Sequence, residues 1–394
     1  MHTAKSTTLT TLQLNTRCHQ LYTGILLFIL FLFTACSTKE THHSDFDSEL
    51  YTPHSSKGFS IRGNDKSENI LISSLNPWQG ASDVTSELLI QKDNILPLNF
   101  KGQILKESPE RIVCMSSTHI AMLDALEETD KIVGVSGAEY ITNPYIRANF
   151  DKIPDIGYEG NIDYEKLIAT QPDLILMFSV NGASSMEPKL KELGIPFFYV
   201  GDYVEEEPMG KAEWIVPLAE ILGKRQKGVE IFNDINSRYN KLKEKVNSAS
   251  FPAPKVMVNA PFLDSWFMPS SESYVARMIK DAGGVFIYGK NTGNASYPID
   301  MEEALKLVSE ADFWINISDL KSLDELKKQL PKFANAECVV KGNVYNNNKI
   351  LSPGGGNDCF ESGVVNPDLI LRDLIKIFHP QLIEEDFTYY HHLE

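Results

Sequence analysis

Short apolar runs alternate with helical runs twice along this 394-residue chain, and a single long helical stretch separates the two series. In the first series, Arg111-Ile112-Val113-Cys114-Met115 reads as a strand. Ser116-Ser117-Thr118 then offers N-cap hydroxyls to a helix, HIAMLDALEETD. Strands at 131–135, 173–178 and 196–200 alternate with helices at 162–169 and 188–193. In the second series, strands at 255–259 and 312–317 alternate with helices at 272–282, 301–309, 324–330 and 368–378, and Lys341-Gly342-Asn343-Val344-Tyr345 leads into a loop. Strands spaced by helices imply mostly parallel sheets. The stretch between the series, 207–248, carries Gly223 and Gly228 and divides near Lys224. Its second part, from about 227 to 246, places Val229, Phe232, Ile235, Tyr239, Leu242 and Val246 on one stripe. At 1.5 Å per residue that part is roughly 30 Å long. The expected architecture is α/β: two lobes with mostly parallel sheets, joined by one long backbone helix that limits how far they can close.

The N-terminus has the layout of an export signal. Residues 21–33 read LYTGILLFILFLF, Lys5 and Arg17 precede or adjoin them, and the first 35 residues hold no acid. The run is short for a membrane span, which takes about 20 apolar residues. Thr34-Ala35 lies directly before Cys36 and resembles a bacterial lipobox, with Phe33 where Leu is usual. That resemblance implies cleavage that leaves Cys36 as the new N-terminus, its acylation, and a periplasm-facing place on a bacterial membrane. The outer surface and an ordinary signal with an incidental Cys are the other readings.

Removing residues 1–35 takes away two bases and no acid, so the net charge of −16 becomes −18. A domain this acidic repels nucleic acid. Residues 37–58 are polar, aperiodic and read as a tether, including His42 and His43. Residues 59–100 contain GFSIR, NILISSL, ELLIQ and ILPLNF, read as strands or hairpins at the edge of the first lobe. The domain plan is therefore 1–35 signal, 36–58 tether, 59–206 first lobe, 207–248 linking helices, 249–382 second lobe and 383–394 tail. Cys114, Cys338 and Cys359 are no disulfide framework, and pairing of the last two stays open.

Several pieces in fixed order, Pro109-Glu110-Arg111-Ile112-Val113, LIATQPDLIL at 167–176, Leu193-Gly194-Ile195-Pro196, Ser271-Glu272-Ser273, Ala282-Gly283-Gly284 and ESGVVNPDLILRDLIKIFHP at 361–380, resemble the helical-backbone (class III) solute-binding lipoproteins of ABC importers. The resemblance covers about 109–382. The part before it, with Asn76-Pro77-Trp78, is similar to an extension in relatives from the Bacteroidetes. Members carry ferric siderophores, haem or cobalamin, and an iron chelate is the first expectation. The resemblance implies a monomer that needs no cofactor of its own and partners an ABC permease and its ATPase. It also implies one surface Glu per lobe that meets permease arginines, a directional contact. Glu272 matches that motif in the second lobe. In the first lobe the register offers Ser184, with Glu187 the nearest acid.

Ligands of two-lobed α/β proteins sit on loops that follow the strands. Aromatic rings suit the flat faces of chelates, and hydroxyls suit their rims. On such loops stand Ser117, His119, Glu139, Tyr140, Tyr158, Glu159, Asn181, Trp266, Tyr297 and 357–361, beginning at Asn357. The strongest expectations are Trp266, Tyr297, Tyr140, Tyr158, Ser117 and Asn357. His119 reads rather as a locally packed histidine. The side that Arg277 faces is open. No His and carboxylate cluster suits a bare metal ion. No Gly-x-Ser-x-Gly elbow is present. Gly354-Gly355-Gly356-Asn357 lacks the Lys of a phosphate loop and reads as a mobile turn. An enzyme that processes chelates on the same scaffold, and a surface lipoprotein that serves an outer-membrane receptor, are the alternatives to a carrier.

Overall fold

The computed structural model describes residues 46–394 apart from 66, 95–96, 98–99, 264 and 293–294. The signal segment, Cys36 and the first part of the expected tether lie outside the described residues.

The first lobe is built on four parallel strands in the order Phe197–Tyr199, Leu174–Met177, Ile112–Cys114, Ile132–Val135. These strands read as near-continuous apolar runs because helices cover both faces of a parallel sheet. The second lobe orders Val285–Phe286, Lys255–Val258, Phe313–Ile315 and Val344–Asn346 in parallel. His391–His392 adds an antiparallel edge to that sheet. The expected tail is therefore part of the second lobe. Ile383, Tyr389, Tyr390 and Leu393 are buried, and the Asp373 carboxylate accepts the N–H groups of Thr388, Tyr389 and Tyr390. Polar lettering at 384–388 hid these apolar anchors.

Residues 46–105, where strands or hairpins are expected from 59 onward, form a third sheet. Ser48–Tyr51, Phe59–Asn64, Ser67–Leu75 and Thr85–Ile90 pair antiparallel in sequence order, and Gln103–Leu105 joins the last in parallel. Side chains alternate between its faces. Phe59, Ile61, Ile72 and Leu88 enter the main core, where Phe59 meets Trp214 edge-on at 5.2 Å. Phe46, Leu71 and Leu89 pack with Phe100 and Ile104 on the other face. The tether expected to run to 58 therefore gives way to structure by Phe46. The fully buried Glu213 carboxylate accepts from the Tyr51 hydroxyl at 2.6 Å and from the N–H groups of His54, Ser55 and Ser56 at 2.7, 2.8 and 2.7 Å. Local polarity there is matched by a partner far along the chain, which no reading of the segment alone can see.

Helices Pro208–Glu213, Ile215–Ile221 and Arg225–Asn247 run between the lobes. Gly223 takes a φ of +69° at the break before the long helix. Phe232, Ile235 and Tyr239 of the expected stripe are buried, and Val229, Leu242 and Val246 pack against the same core. The start of this helix is held to the first lobe: Lys227 donates to the Leu126 carbonyl at 2.7 Å, and Lys224 pairs with buried Glu128. Its later turns are held to the second lobe. Arg238 donates to Asp368 at 2.6 Å and the Tyr239 hydroxyl to Asp281 at 2.8 Å. Cys114, Cys338 and Cys359 are buried free thiols. Among the described residues, no helix is long and apolar enough to cross a membrane.

Candidate functional site

The carboxyl ends of both parallel sheets lead into loops, the usual ligand-bearing position in open α/β folds. In the first lobe a single carboxylate shapes two of them. Asp155 accepts the N–H groups of Gly137 at 3.1 Å, Ala138 at 2.8 Å and Gly157 at 2.9 Å. It thereby fixes the turn that carries Tyr140 and the hairpin Gly157–Ile162 that carries Tyr158. Both tyrosines are exposed, at 54% and 64%. Hydrogen bonding to neighbouring Glu139 pushes the Tyr140 phenol up from its ordinary pKa. A pocket of about 80 Å³ beside Tyr158 is lined by Met115, Ser136, Glu159, Met177 and Phe178. Ser117 is half-buried in the first turn of helix Ser117–Ala125, and Asn181 is exposed. His119 is fully buried in that helix, and burial drops its pKa to about 3.

In the second lobe, the expected Trp266 is fully buried. It sits on strand Trp266–Met268, paired antiparallel with Tyr297–Ile299. Trp266 and Met268 point inward and Phe267 outward, as strand alternation requires. The Trp266 ring stacks on Trp314 with centroids 5.4 Å apart, and its Nε1 donates to the Val258 carbonyl at 3.0 Å. The aromatic residues that do reach solvent here are Phe267 and, on the loop after Lys255–Val258, Phe262 at 70% exposure. The period-2 pattern of Trp266-Phe267-Met268 was the available signal for Phe267. Tyr297 is half-buried and lines a larger cavity of about 590 Å³, together with Val204, Glu206, Glu207, Thr292 and Ala295. Asn357 is committed to its own loop: its Oδ1 accepts the Cys359 N–H at 3.0 Å and its Nδ2 donates to Asn347 at 3.3 Å.

The lobes touch along a seam of loop contacts. The Glu139 carbonyl accepts from Ser352 Oγ at 2.6 Å and from the Gly354 N–H at 3.1 Å. The Glu361 carboxylate accepts the N–H groups of Thr142 and Asn143 at 2.8 and 2.7 Å, and Thr142 Oγ1 donates to Asp358 at 2.7 Å. Burial pushes the Glu361 carboxyl up. A Cβ on Gly356 would stand 1.6 Å from the Tyr140 carbonyl oxygen. The glycine run is thus a close-packed seam rather than the mobile turn its composition suggests.

Arg277 faces the linker, where it pairs with Glu206 at 3.3 Å and Glu207 at 2.6 Å. Glu272 is exposed just before helix Tyr274–Asp281. Glu187 is differently placed from the expectation. Its carboxylate accepts from the Tyr199 hydroxyl at 2.8 Å and from Lys191 at 2.7 Å, so it is engaged within its own lobe, and Ser184 is buried. Among the described residues no three His, Cys, Asp or Glu side chains gather to hold a metal ion.

Residues 112–350 match the family described as periplasmic binding protein. An uncharacterized lipoprotein of Methanocaldococcus jannaschii is 25% identical over 344 residues, which span 80% of this chain and 80% of that one. A vitamin B12-binding protein of Vibrio campbellii is 28% identical over 231 residues, 55% of this chain and 75% of its own. A solved periplasmic heme binding protein from Pseudomonas aeruginosa aligns with a TM-score of 0.58 at 18% identity, over 73% of this chain and 98% of that chain, a likeness of fold. The sheet at 46–105 precedes the matched segment.

Proposed function

Because the chain belongs to the periplasmic binding protein family, we propose that it is a lipid-anchored carrier that captures a metal chelate, such as a ferric siderophore, haem or cobalamin, and delivers it to an ABC permease. The observation that carries this reading is the set of exposed aromatic rings on the loops and short hairpins that follow parallel strands of both lobes: Tyr140 and Tyr158 in one, Phe262 and Phe267 in the other. Rings held on rigid strand ends suit broad, flat, partly apolar ligands. Acylated Cys36 would hold the carrier at the membrane, and exposed Glu272 would meet an arginine of the permease.

The test pairs binding with uptake. The full chain is titrated with a ferric hydroxamate, hemin and cyanocobalamin, and at least one binds with a Kd tighter than about 10 µM. Glu272→Ala leaves that Kd unchanged and lowers cellular uptake of the same chelate. Absence of binding to all three refutes the carrier reading, and unchanged uptake by Glu272→Ala refutes the docking role alone.

A further inference from the structure

We propose that the turn at 76–81, part of the sheet that precedes the matched segment, forms a wall of the ligand site, and that the portion of ligand held there is a ring-faced group rimmed with hydrogen-bond donors and without negative charge. This rests on the carrier reading above and adds to it a place and a chemical class.

The turn is seated on the carboxyl ends of the first-lobe strands. The Gln79 N–H donates to the Val180 carbonyl, 3.0 Å away, in the loop after Leu174–Met177. Trp78 meets Tyr199, the last residue of strand Phe197–Tyr199, edge-on at 5.5 Å. Pro77 Cα lies 3.6 Å from where a Cβ on Gly201 would stand. The turn is itself stiffened, since the Val84 N–H donates to Asn76 Oδ1 at 3.0 Å. A loop so placed occupies the edge of the sheet where α/β proteins hold ligands.

The 590 Å³ cavity lies between this turn and the second lobe. Trp78, Asn76 and Gln79 line it from the extension, and Tyr297 lines it from the hairpin of the second lobe. Its volume falls in the range of about 300–1,000 Å³ that small-molecule sites occupy. Two rings from separate lobes offer apolar contact with an intervening flat group.

The charge of the lining narrows the class. Glu205, Glu206 and Glu207 bring three carboxylates, against Lys57 in the same wall and Arg277 behind Glu206 and Glu207. Glu205 is already satisfied by the Gly58 N–H at 3.0 Å and Trp214 Nε1 at 3.2 Å. Glu206 and Glu207 are partly exposed and keep acceptor capacity beyond their contacts with Arg277. This lining favours amide or amine donors and opposes carboxylates or catecholates, whose charge adds to that already present.

Three probes differ in this respect: cyanocobalamin with an amide rim, hemin with two carboxylates, and ferric enterobactin as a trianion. The full chain in mild detergent is titrated with each by equilibrium dialysis, in the unaltered form and as Trp78→Ala, Trp78→Phe and Tyr297→Ala. Hydrogen exchange is followed in the unaltered protein with and without ligand. The proposal expects cyanocobalamin to bind at least about tenfold more tightly than either anionic chelate. It expects Trp78→Ala and Tyr297→Ala each to weaken it about tenfold, with Trp78→Phe close to the unaltered protein. It also expects slowed exchange at 76–81 on binding, a readout that needs no variant to fold. If a chelate binds while the variants keep its affinity and exchange at 76–81 does not change, the wall is refuted and the carrier reading stands. Preference for hemin or ferric enterobactin overturns the charge argument. Binding of none of the three overturns this inference, and the carrier reading falls with it only if the ferric hydroxamate of the earlier titration does not bind either.

Discussion

Replacing Gly356 with alanine drives a methyl group into the Tyr140 backbone, and the outcome measures how firmly the two lobes are seamed. The added Cβ would lie 1.6 Å from the Tyr140 carbonyl oxygen and 2.4 Å from its carbon. Neither atom is the tip of a flexible side chain, so one backbone segment has to move. Movement there breaks the bonds from Ser352 Oγ and the Gly354 N–H to the Glu139 carbonyl. Each is worth about 0.5–1.5 kcal/mol, and overpacking strain adds about 1–3 kcal/mol where relaxation is incomplete. The expected loss is about 2–6 kcal/mol, or roughly 3–8 °C in melting temperature for a chain of this size. Gly289→Ala is the control, because a Cβ there meets nothing within 4 Å and its φ is not positive. Both variants are followed by thermal denaturation and by hydrogen exchange at 138–143. Gly356→Ala melts well below Gly289→Ala and exchanges faster at those residues. Equal melting temperatures with unchanged exchange would refute the seam as a holding contact.

Two further outcomes follow from buried groups. Glu213→Ala removes the acceptor shared by Tyr51, His54, Ser55 and Ser56, which should cost roughly 3–5 kcal/mol and expose 46–58 to limited proteolysis; a variant as stable and as resistant as the unaltered protein disproves the anchoring. His119 gives a pH dependence with a definite sign. Its native pKa of about 3 lies below the ordinary 6.5, so below pH 6.5 the unfolded chain gains a proton that the folded chain refuses, and stability is lost as pH falls through that window. The contribution is about 2 kcal/mol at pH 5. Denaturant midpoints near neutrality and near pH 5 should separate less for His119→Phe than for the unaltered protein, and equal separation would show that the histidine is not the cause.

Periodicity carried the parts of this fold that are regular over many residues. The Phe232, Ile235 and Tyr239 stripe announced the long helix, and the apolar runs at 112–114 and 174–177 announced buried parallel strands. Features set by distant partners were not legible. Residues 54–58 are held through their backbone N–H groups by Glu205 and Glu213, and Gly354 and Gly356 are small where a backbone from the other lobe lies against them. At the site, Tyr297 lines a cavity, whereas Trp266, the strongest candidate ligand contact from the sequence, is core, and the alternation within its own strand points Phe267 outward instead. Asp155 is not legible in the sequence because its role lies in three backbone N–H groups, which leave no mark on residue type.

The long helix is fastened at its start by Lys224 and Lys227 to the first lobe, and past its middle by Arg238 and Tyr239 to the second. On the carrier reading proposed above, a strut fixed in this way would keep the distance between the outer edges of the lobes nearly constant with and without ligand. A membrane partner that grips both edges therefore meets the same gauge in either state. Telling a full carrier from an empty one then falls to the loops at the mouth, and to the cargo itself, rather than to the span between the grips.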